Sequence, residues 1–517
     1  MTLTPSEHRN PPDWLSFTRR EGIALSLCAL LGAALRLYRL DAQSVWYDEA
    51  FTIAHSLKPL PDLMGVLLRD AVHPPLHYLI VHAWLGLSGG GAWEARLVSA
   101  IVGTLSIPAL YLLARRFTDA ATSASAALLL AVSQIAIYFS QEARPYMVAQ
   151  FLSLLAAGSF LWLLRRPSVG RTAVFAAASL ALMATHYYGI ATLAALGLYW
   201  LMFRREYSPL VLRSILVAAA LVIVAYLPWL LALGGGRVQR QDVFRAAWDT
   251  TQRPGLLAPM MALNRFNNGK LDSIEGESPA ATVVLGFGIF TLPIVAAFWL
   301  RGGRARDAAT SRDAATSRRR VQGAVLGCLL AGMPVAFAIL LGASGAIFNY
   351  RHFSFAVPGY YLAVAIGWRV CFRHPVARSV WMVAAFAWSA WALRANYFAP
   401  TKPDYRTALA PLAAAYQSGD CAVIRPGIYQ DAMHLAWDVY YRDRGSPRVI
   451  PFDSIRSGLA DCDRIWFIWD KTWWMNSSER QRTRTLEAIA ALRQNFDQVE
   501  HDAHRDLELR LMRKRTR

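Results

Sequence analysis

The hydrophobic pattern divides the chain into a long apolar part and a shorter polar part. A first apolar run of about 18 residues begins at Gly22, which is long enough to cross a bilayer. Similar runs recur near 94–114, 121–139, 145–164, 172–186, 188–203, 211–232, 279–300, 321–342, 354–371 and 378–395, and a shorter one lies at 75–88. The pattern predicts a polytopic α-helical membrane domain over residues 21–395, preceded by a polar cytoplasmic tail over residues 1–20.

The basic residues between these runs predict the orientation of the helices. Arginine clusters follow the runs that end near 114, 164, 203, 300 and 371, and such clusters favour the cytoplasmic side. All of them fall outside if 75–88 spans the membrane, and all fall inside if it does not. We therefore expect 75–88 to be an amphipathic helix on the outer surface, which leaves about eleven spanning helices and an external C-terminus.

Two connecting segments are long enough to need a separate interpretation. Residues 233–278 form a predicted outer loop, and loops of this length are often functional, so a lid and a plain connection are both open. Residues 301–320 contain a tandem repeat, Arg-Asp-Ala-Ala-Thr-Ser at 306–311 and again at 312–317. We expect this second segment to be a low-complexity cytoplasmic linker.

The pattern changes near residue 396, and the remainder predicts a small extracytoplasmic α/β domain over 396–517. Helices are expected at 404–417 and from Glu479 to Phe496, with strands at 421–424, 464–469 and 507–512. Cys421 and Cys462 each lie at the start of a predicted strand. We expect them to form a disulfide in an oxidising compartment, with two buried thiols as the alternative.

The composition supports a membrane protein and argues against other classes. The 517 residues are 55% hydrophobic, with a mean hydropathy of +0.27 and 18 Trp. The net charge is +19, but the basic residues are grouped between apolar runs and no nucleic-acid motif is present. Because no cleavage site follows the first apolar run, we expect an uncleaved signal anchor in an inner (plasma) membrane.

The first candidate for chemistry is the acidic pair Asp48-Glu49, which closely follows the first apolar run. Acidic residues at membrane depth are expensive and are functional candidates by default. The alternative is a solvated turn. The predicted topology places this pair on the outer face together with further polar motifs at helix ends, namely His73, Glu94–Arg96, Gln141–Arg144, His186–Tyr188 and Tyr350–His352.

Several short motifs in a fixed order carry a family resemblance. They are Leu40-Asp41, Trp46-Tyr47-Asp48-Glu49-Ala50, His73-Pro74-Pro75-Leu76-His77-Tyr78, Glu94-Ala95-Arg96-Leu97, Ser140-Gln141-Glu142-Ala143-Arg144-Pro145-Tyr146, Thr185-His186-Tyr187-Tyr188-Gly189, Tyr350-Arg351 and Lys402-Pro403-Asp404-Tyr405-Arg406. The series resembles bacterial membrane glycosyltransferases of the GT-C class. It is most similar to family 39, the branch of the protein O-mannosyltransferases and the lipid A aminoarabinose transferase.

The resemblance implies a GT-C-like fold with surface-lying helices in the first outer loop. It also implies an inverting transfer of a hexose or pentose from a polyprenyl-phosphate donor on the outer face. An acidic residue of the first outer loop would be the catalytic base, and we assign this role to Asp48. Glu49 would orient the acceptor or a metal, and a divalent cation is possible without being required. The acceptor is left open as a lipid, an envelope glycan or a protein.

Further polar residues are candidates for substrate binding. Arg144 and Arg351 suit a lipid phosphate, because guanidinium groups bind phosphate in a bidentate manner. Glu142, His73 and His186 would contact the sugar, the acceptor or a cation, and Tyr187 would stack on a sugar or lie in an interfacial aromatic belt. The alternatives are a Glu142–Arg144 salt bridge, a headgroup anchor at Arg351 and hydrogen-bonded structural histidines. A transporter or flippase of a lipid-linked sugar is the rival function. It should place charges near mid-membrane, whereas these residues lie at helix ends.

Overall fold

A computed structural model describes residues 18–235, 257–269, 279–297, 311–343, 350–372, 374–424, 430–450, 459, 461–470, 479–503 and 507–515. Most of the described chain is helical, and a small sheet lies near the C-terminus. The helices of the first part are α1 Arg19–Leu37, α2 Tyr47–Ser56, α3 Leu60–Asp70, α4 Leu76–Ser88, α5 Ala92–Ala114, α6 Ala120–Ala131, α7 Gln134–Ser140, α8 Tyr146–Arg165, α9 Val169–Thr185, α10 Gly189–Phe203 and α11 Leu210–Gly235.

The second part continues the helical bundle before the sheet begins. Its helices are α12 Ala258–Asn268, α13 Pro279–Gly286, which continues through a wider turn at Phe287–Thr291, α14 Ser311–Ala343, α15 Val357–Cys371 and α16 Pro375–Phe398. Short 3₁₀ turns lie at Arg204–Glu206 and Tyr350–Ala356. Each predicted spanning run thus has a helix, or a pair of helices, at its position.

Six helices of the described chain are long and apolar enough to cross a membrane, or seven if the bent pair α6 and α7 is one span. This confirms a polytopic helical membrane protein, while the count of about eleven spans stays a prediction. The short segment 75–88 is helical as α4, and α2 and α3 are further short helices between α1 and α5. Their position on the membrane surface also stays a prediction.

The break between α6 and α7 exposes backbone groups that a buried arginine satisfies. The two helices meet at 54°. Arg36 of α1 is fully buried and donates hydrogen bonds to the carbonyl oxygens of Leu130 and Ala131, each at 3.1 Å, and to the Ser140 hydroxyl at 3.1 Å. Carbonyls freed at a helix end need such partners in a membrane. The break directs the chain from α7 toward Glu142 and Arg144.

The C-terminal part contains a five-stranded mixed sheet with the order β2-β1-β3-β5-β4. The strands are β1 Cys421–Ile424, β2 Arg448–Ile450, β3 Arg464–Asp470, β4 Phe496–Ala503 and β5 Leu507–Lys514, and the helices are α17 Tyr405–Ala415, α18 Gln430–Tyr440 and α19 Glu479–Asn495. Cys421 and Cys462 form the predicted disulfide, with their Cα atoms 6.0 Å apart. The sequence analysis missed β2, β4 and α18.

The sheet domain and the first outer loop share one hydrophobic core. Ala50 and Ile53 of α2 belong to the same buried cluster as Tyr405, Trp437 and Trp466. The Val45 amide, just before α2, also donates a hydrogen bond to the Tyr440 hydroxyl oxygen at 2.7 Å. The domain boundary expected at 396 therefore marks a change of secondary structure across which the two parts pack closely.

Two expectations about connecting segments need correction. The second copy of the tandem repeat, at 312–317, was expected in a linker but lies in α14, because Ala and Arg favour helix. The predicted outer loop 233–278 contains α12, in which Asn267 and Asn268 are buried. The rest of that loop over 236–256 and 270–278, and the first repeat copy over 306–310, lie outside the described residues.

Candidate functional site

The acidic pair begins helix α2, and its two side chains have different surroundings. Successive residues of a helix point about 100° apart, so neighbours face different directions. The Glu49 side chain is fully buried, whereas that of Asp48 is 18% exposed. The two carboxylates can therefore have different functions.

Glu49 is held in a buried network of donors. It accepts hydrogen bonds from Arg96 at 2.8 and 3.0 Å, from the Lys402 ammonium at 2.7 Å and from the Ala143 amide at 3.1 Å. Burial alone would raise the pKa of Glu49, but the charges and hydrogen bonds of Arg96 and Lys402 outweigh it and lower the pKa to about 2. With its carboxylate fully engaged, Glu49 is better placed to organise the loop than to contact an acceptor.

Arg96 extends this network to the chain before α2. Its guanidinium also donates to the carbonyl oxygens of Leu40, Gln43 and Ser44, at 3.0, 2.8 and 3.1 Å. A buried arginine with this many acceptors is satisfied without water. The pair formed by Glu49 and Arg96 thus fixes the segment that carries Asp48.

Asp48 lies between two arginines that come from distant parts of the chain. Arg351 Nη1 donates to Asp48 Oδ2 at 2.6 Å, and Arg144 Nη2 lies 3.8 Å from the same oxygen. Both contacts use Oδ2. Together the three side chains carry one net positive charge, which suits an anionic ligand.

Arg144 is held rigidly by neutral partners. Its Nη1 donates to the Asp48 carbonyl oxygen at 3.1 Å and to the hydroxyls of Thr52 and Tyr78, each at 3.2 Å. Burial would lower the pKa of Arg144, but Asp48 and the neighbouring tyrosines raise it. The structure pairs Arg144 with Asp48, so the expected alternative of a Glu142–Arg144 salt bridge is not the arrangement found.

His73 supports Arg144 from the other side. Arg144 Nη2 lies 2.8 Å from His73 Nε2, and His73 Nδ1 lies 2.7 Å from an Asp70 carboxylate oxygen. Because a guanidinium can only donate, Nε2 accepts and Nδ1 carries the proton donated to Asp70. Burial would raise the pKa of Asp70, but its hydrogen bonds with His73 and with the Val72 amide lower it. In this arrangement the His73 ring is neutral and positions the Arg144 guanidinium.

A cavity of about 440 Å³ opens beside Arg144 and has mostly apolar walls. It brings together the predicted residues His73, Arg144, His186 and Tyr187, and its lining also includes Ala71, Val72, Pro74, Pro145, Tyr146, Thr185, Tyr188, Leu233, Leu341 and His352. We call it the large cavity. His186 packs against His352 with ring centroids 5.9 Å apart, and the Tyr187 hydroxyl donates to the Ala71 carbonyl oxygen at 3.3 Å.

A second cavity of about 90 Å³ is lined by Trp46, Tyr138, Phe139, Glu142, Arg351, Thr401, Lys402 and Pro403. We call it the small cavity. The Glu142 carboxylate is buried, and neither of its oxygens has a hydrogen-bond partner among the described residues; the Lys402 ammonium lies 3.4 Å away. The indole N–H of Trp46 is likewise buried without an acceptor in the described structure. Unsatisfied buried donors and acceptors are rare, and together they suit a ligand with hydroxyl groups.

Several further residues complete the site and were not predicted from the sequence. Lys402 was seen only as part of a motif, yet its ammonium contacts both Glu49 and Glu142. His352 lines the large cavity, and Tyr78 and Asp70 position Arg144 directly or through His73. Within the described residues, no group of three or more His, Cys, Asp or Glu side chains is arranged to hold a metal ion. The possible divalent cation therefore has no set of protein ligands there.

Comparison with known proteins identifies a family signature in the part of the chain that forms the large cavity. Residues 72–231 match the family model described as dolichyl-phosphate-mannose-protein mannosyltransferase. This match confirms, over residues 72–231, the resemblance expected from the motifs. No curated protein matches the sequence.

Solved structures share the fold at low sequence identity. The arabinofuranosyltransferase AftD from Mycobacteria aligns with a TM-score of 0.53 and 14% identity, over 98% of this chain and 40% of that one. ArnT from Cupriavidus metallidurans aligns with a TM-score of 0.46 and 15% identity over 96% and 98% of the two chains. The archaeal oligosaccharyltransferase AglB from Archaeoglobus fulgidus gives a TM-score of 0.49 and 14% identity over 92% and 72%. The likeness to AftD shows a GT-C-like fold.

Proposed function

We propose that the chain transfers a sugar from a polyprenyl-phosphate donor to a hydroxyl group of an extracytoplasmic acceptor, with inversion of the anomeric centre. One observation carries the proposal. Asp48 contacts one arginine from each of the two cavities, Arg144 from the large one and Arg351 from the small one. A carboxylate between a site for an anionic donor and a polar site for an acceptor is where a catalytic base is needed.

The large cavity suits the donor. Its volume of about 440 Å³ and its walls of Leu233, Leu341 and aromatic rings fit a sugar and the first isoprene units. The donor is a phosphodiester with one negative charge, which the net positive charge of Asp48, Arg144 and Arg351 complements. His186 and Tyr187 then face the sugar from the lining of the same cavity.

The small cavity suits the acceptor. A hydroxyl group can accept from the Trp46 indole N–H and donate to Glu142, so that one group satisfies both unpartnered sites. The Lys402 ammonium lies close to the carboxylates of both Glu142 and Glu49. Its positive charge offsets their negative charge, so the small cavity is polar without a large excess of charge. This makes Glu142 a binding residue for the acceptor and leaves Asp48 as the base.

The proposed reaction requires one base, Asp48, and two cationic side chains, Arg144 and Arg351. The acceptor oxygen attacks the anomeric carbon, and the bond from that carbon to the phosphate oxygen breaks, with both electrons staying on the phosphate. The acceptor proton passes to the Asp48 carboxylate, whose Oδ2 contacts Arg351 and Arg144. Arg144 and Arg351 stabilise the charge gained by the leaving phosphate. A single displacement inverts the anomeric centre, unlike the two-step reaction of retaining glycosidases.

The location on the outer face rests on two independent arguments. The arginine clusters predict that the loop carrying Asp48 is external. The disulfide Cys421–Cys462 favours an oxidising compartment, and its domain packs directly against α2. A bacterial inner membrane with the site and the C-terminus on the extracytoplasmic face fits both arguments.

The proposal is tested by reconstituting the purified protein in vesicles with a radiolabelled polyprenyl-phosphate sugar and an envelope extract as acceptor. We expect label to move into acceptor and free polyprenyl phosphate to appear, with both lost in Asp48→Asn. Asp62→Asn, an exposed acid on the neighbouring α3, is the matched control and should keep its activity. Transfer of intact donor between leaflets without consumption would instead show a flippase and refute the proposal.

A further inference from the structure

A third cavity lies at the other end of the helix bundle. Its volume is about 440 Å³, and its lining comes from the start of α6, the end of α15 and the start of α16: Ala121, Thr122, Ser125, Ala365, Trp368, Arg369, Pro375, Arg378, Ser379, Met382 and Val383. We call it the Arg369 cavity. None of these residues lines the large or the small cavity.

The length of helix α15 gives the distance between the Arg369 cavity and the candidate site around Asp48. Helix α15 begins directly after the turn that carries Arg351 and ends at Cys371. Its 15 residues span about 22 Å at 1.5 Å per residue. The Arg369 cavity therefore lies near the opposite membrane surface from Asp48, and it is separate from the proposed reaction.

The cavity is strongly positive. Arg369 donates to Asp119 at 3.2 Å, and Arg320 lies 3.7 Å from the same carboxylate oxygen. Asp119 also caps helix α6 through the Thr122 amide at 2.9 Å. One carboxylate thus serves two arginines and a helix end, and Arg378 adds a third guanidinium at the cavity wall.

Arg378 at the cavity wall and Arg320, which does not line the cavity but contacts the same Asp119 carboxylate as Arg369, both have unused donors. The Nε atoms of Arg320 and Arg378 are buried and have no hydrogen-bond partner within the described part of the chain. Leaving such donors unsatisfied is unfavourable, and an anion with several oxygens would satisfy them. The first turns of α6 and α16 add the positive ends of two helix dipoles.

The rest of the cavity is apolar and faces the side of the bundle that meets lipid. Trp368, Met382 and Val383 form its walls. On the same helix α16, Val376, Val380 and Val383 are 61%, 63% and 67% exposed, as expected for a lipid-facing surface. A ligand with one anionic end and apolar chains matches both halves of the cavity.

We propose that the Arg369 cavity binds the phosphate headgroup of an anionic phospholipid. Arg378 would donate to the phosphate oxygens, Arg320 would add positive charge from beside Arg369, and the acyl chains would pass along Trp368 and Val383. Neutral zwitterionic lipids carry an ammonium or choline group that the cluster of arginines disfavours. The cavity should therefore distinguish phosphatidylglycerol from phosphatidylcholine.

The test uses the full-length protein in detergent and native mass spectrometry with added lipid. We expect phosphatidylglycerol to bind at least tenfold more tightly than phosphatidylcholine, and Arg378→Gln to weaken it by about tenfold, because one charge-assisted hydrogen bond is lost. Arg213→Gln removes an exposed arginine of α11 that lines no described cavity, and it should leave the affinity unchanged. Sugar transfer should be unaffected in both variants.

A second pair of variants separates binding from folding. Ser379 is exposed near the start of α16, so Ser379→Glu can place a negative charge in the cavity without disturbing the core. We expect Ser379→Glu to abolish the preference for phosphatidylglycerol and Ser379→Gln to retain it. Equal binding of the two lipids by the unmodified protein would overturn the proposal. So would complete competition by millimolar inorganic phosphate, which would identify a free anion as the ligand.

Discussion

The adjacent acids Asp48 and Glu49 should respond in opposite ways when each loses its charge. Glu49→Gln should destabilise the protein, because its amide would present a donor to the three donors of Arg96, Lys402 and the Ala143 amide. Asp48→Asn should abolish sugar transfer while leaving the fold intact. The comparison separates a structural acid from a catalytic one at neighbouring positions.

The structure gives the expected size of each effect. Removing one partner of a buried ion pair costs about 3–5 kcal/mol. Lowering the pKa of Glu49 from 4.5 to about 2 corresponds to roughly 3 kcal/mol, in agreement with that range. The partly exposed pair of Asp48 and Arg351 is worth about 1 kcal/mol, whereas loss of a general base lowers turnover by about 10²–10⁴-fold.

The pKa of Glu49 also sets a pH dependence. Because its pKa is lower in the folded protein than in the unfolded chain, ionised Glu49 contributes its full stabilisation above about pH 4.5 and loses it as the pH falls toward 2. Glu49→Gln should remove this part of the acid dependence. Denaturant titration in mixed micelles at pH 7 and pH 4 measures the free energy of unfolding in each case.

A specific result would refute this reasoning. If Glu49→Gln unfolded at the same denaturant concentration as the unmodified protein but lost its turnover, the buried carboxylate would be part of the chemistry. If Asp48→Asn kept full turnover, Asp48 would not be the base. Asp62→Asn again serves as the control for loss of an acid in the same outer loop.

Three further predictions follow from the two cavities and the disulfide. Arg144→Lys should lower the turnover number at least tenfold with a smaller change in stability, because an ammonium cannot reach the partners of a planar guanidinium; steady-state kinetics with the donor measure this. Trp46→Phe should raise the KM for the acceptor and leave that for the donor unchanged, since only the small cavity loses its N–H group. Cys421→Ser should destabilise the C-terminal domain by about 4 kcal/mol, because Cys462 closes a loop with a sequence separation of 41; proteolysis of the domain with and without reductant measures this.

The sequence predicted the motifs of the site better than their pairings. Charge parity placed Asp48, Arg144 and Arg351 on one face, and the structure brings them into contact across sequence separations of 96 and 303. Nothing in a hydrophobic pattern specifies that Arg144 binds Asp48 in preference to Glu142, because Asp48 lies 96 residues away along the chain and only tertiary structure brings it close. The pattern likewise located three of the five strands of the C-terminal domain and missed Phe496–Ala503 and Arg448–Ile450. The second of these carries too few residues to show a period.

The burial of Lys402 could not be predicted from its neighbours in the sequence. A lysine in a linker is normally solvated, yet this one is 5% exposed and lies between two carboxylates. Its burial requires Glu49 and Glu142 together, and those acids are more than 250 residues away along the chain. A buried cation of this kind is visible only once tertiary structure has assembled its partners.

The position of Asp48 depends on parts of the chain that are far from one another. The segment before α2 has little regular structure of its own, and distant groups hold it: Thr401 bonds to Gln43, and Arg406 bonds to Asp41. Thr401 lies in the connection after α16, and Arg406 lies at the start of α17, the first helix of the sheet domain. The first residues of the sheet domain therefore help to set the position of Asp48, because they hold the segment that precedes it. Loosening that connection should affect turnover before it affects the membrane helices, whose core is built from other residues.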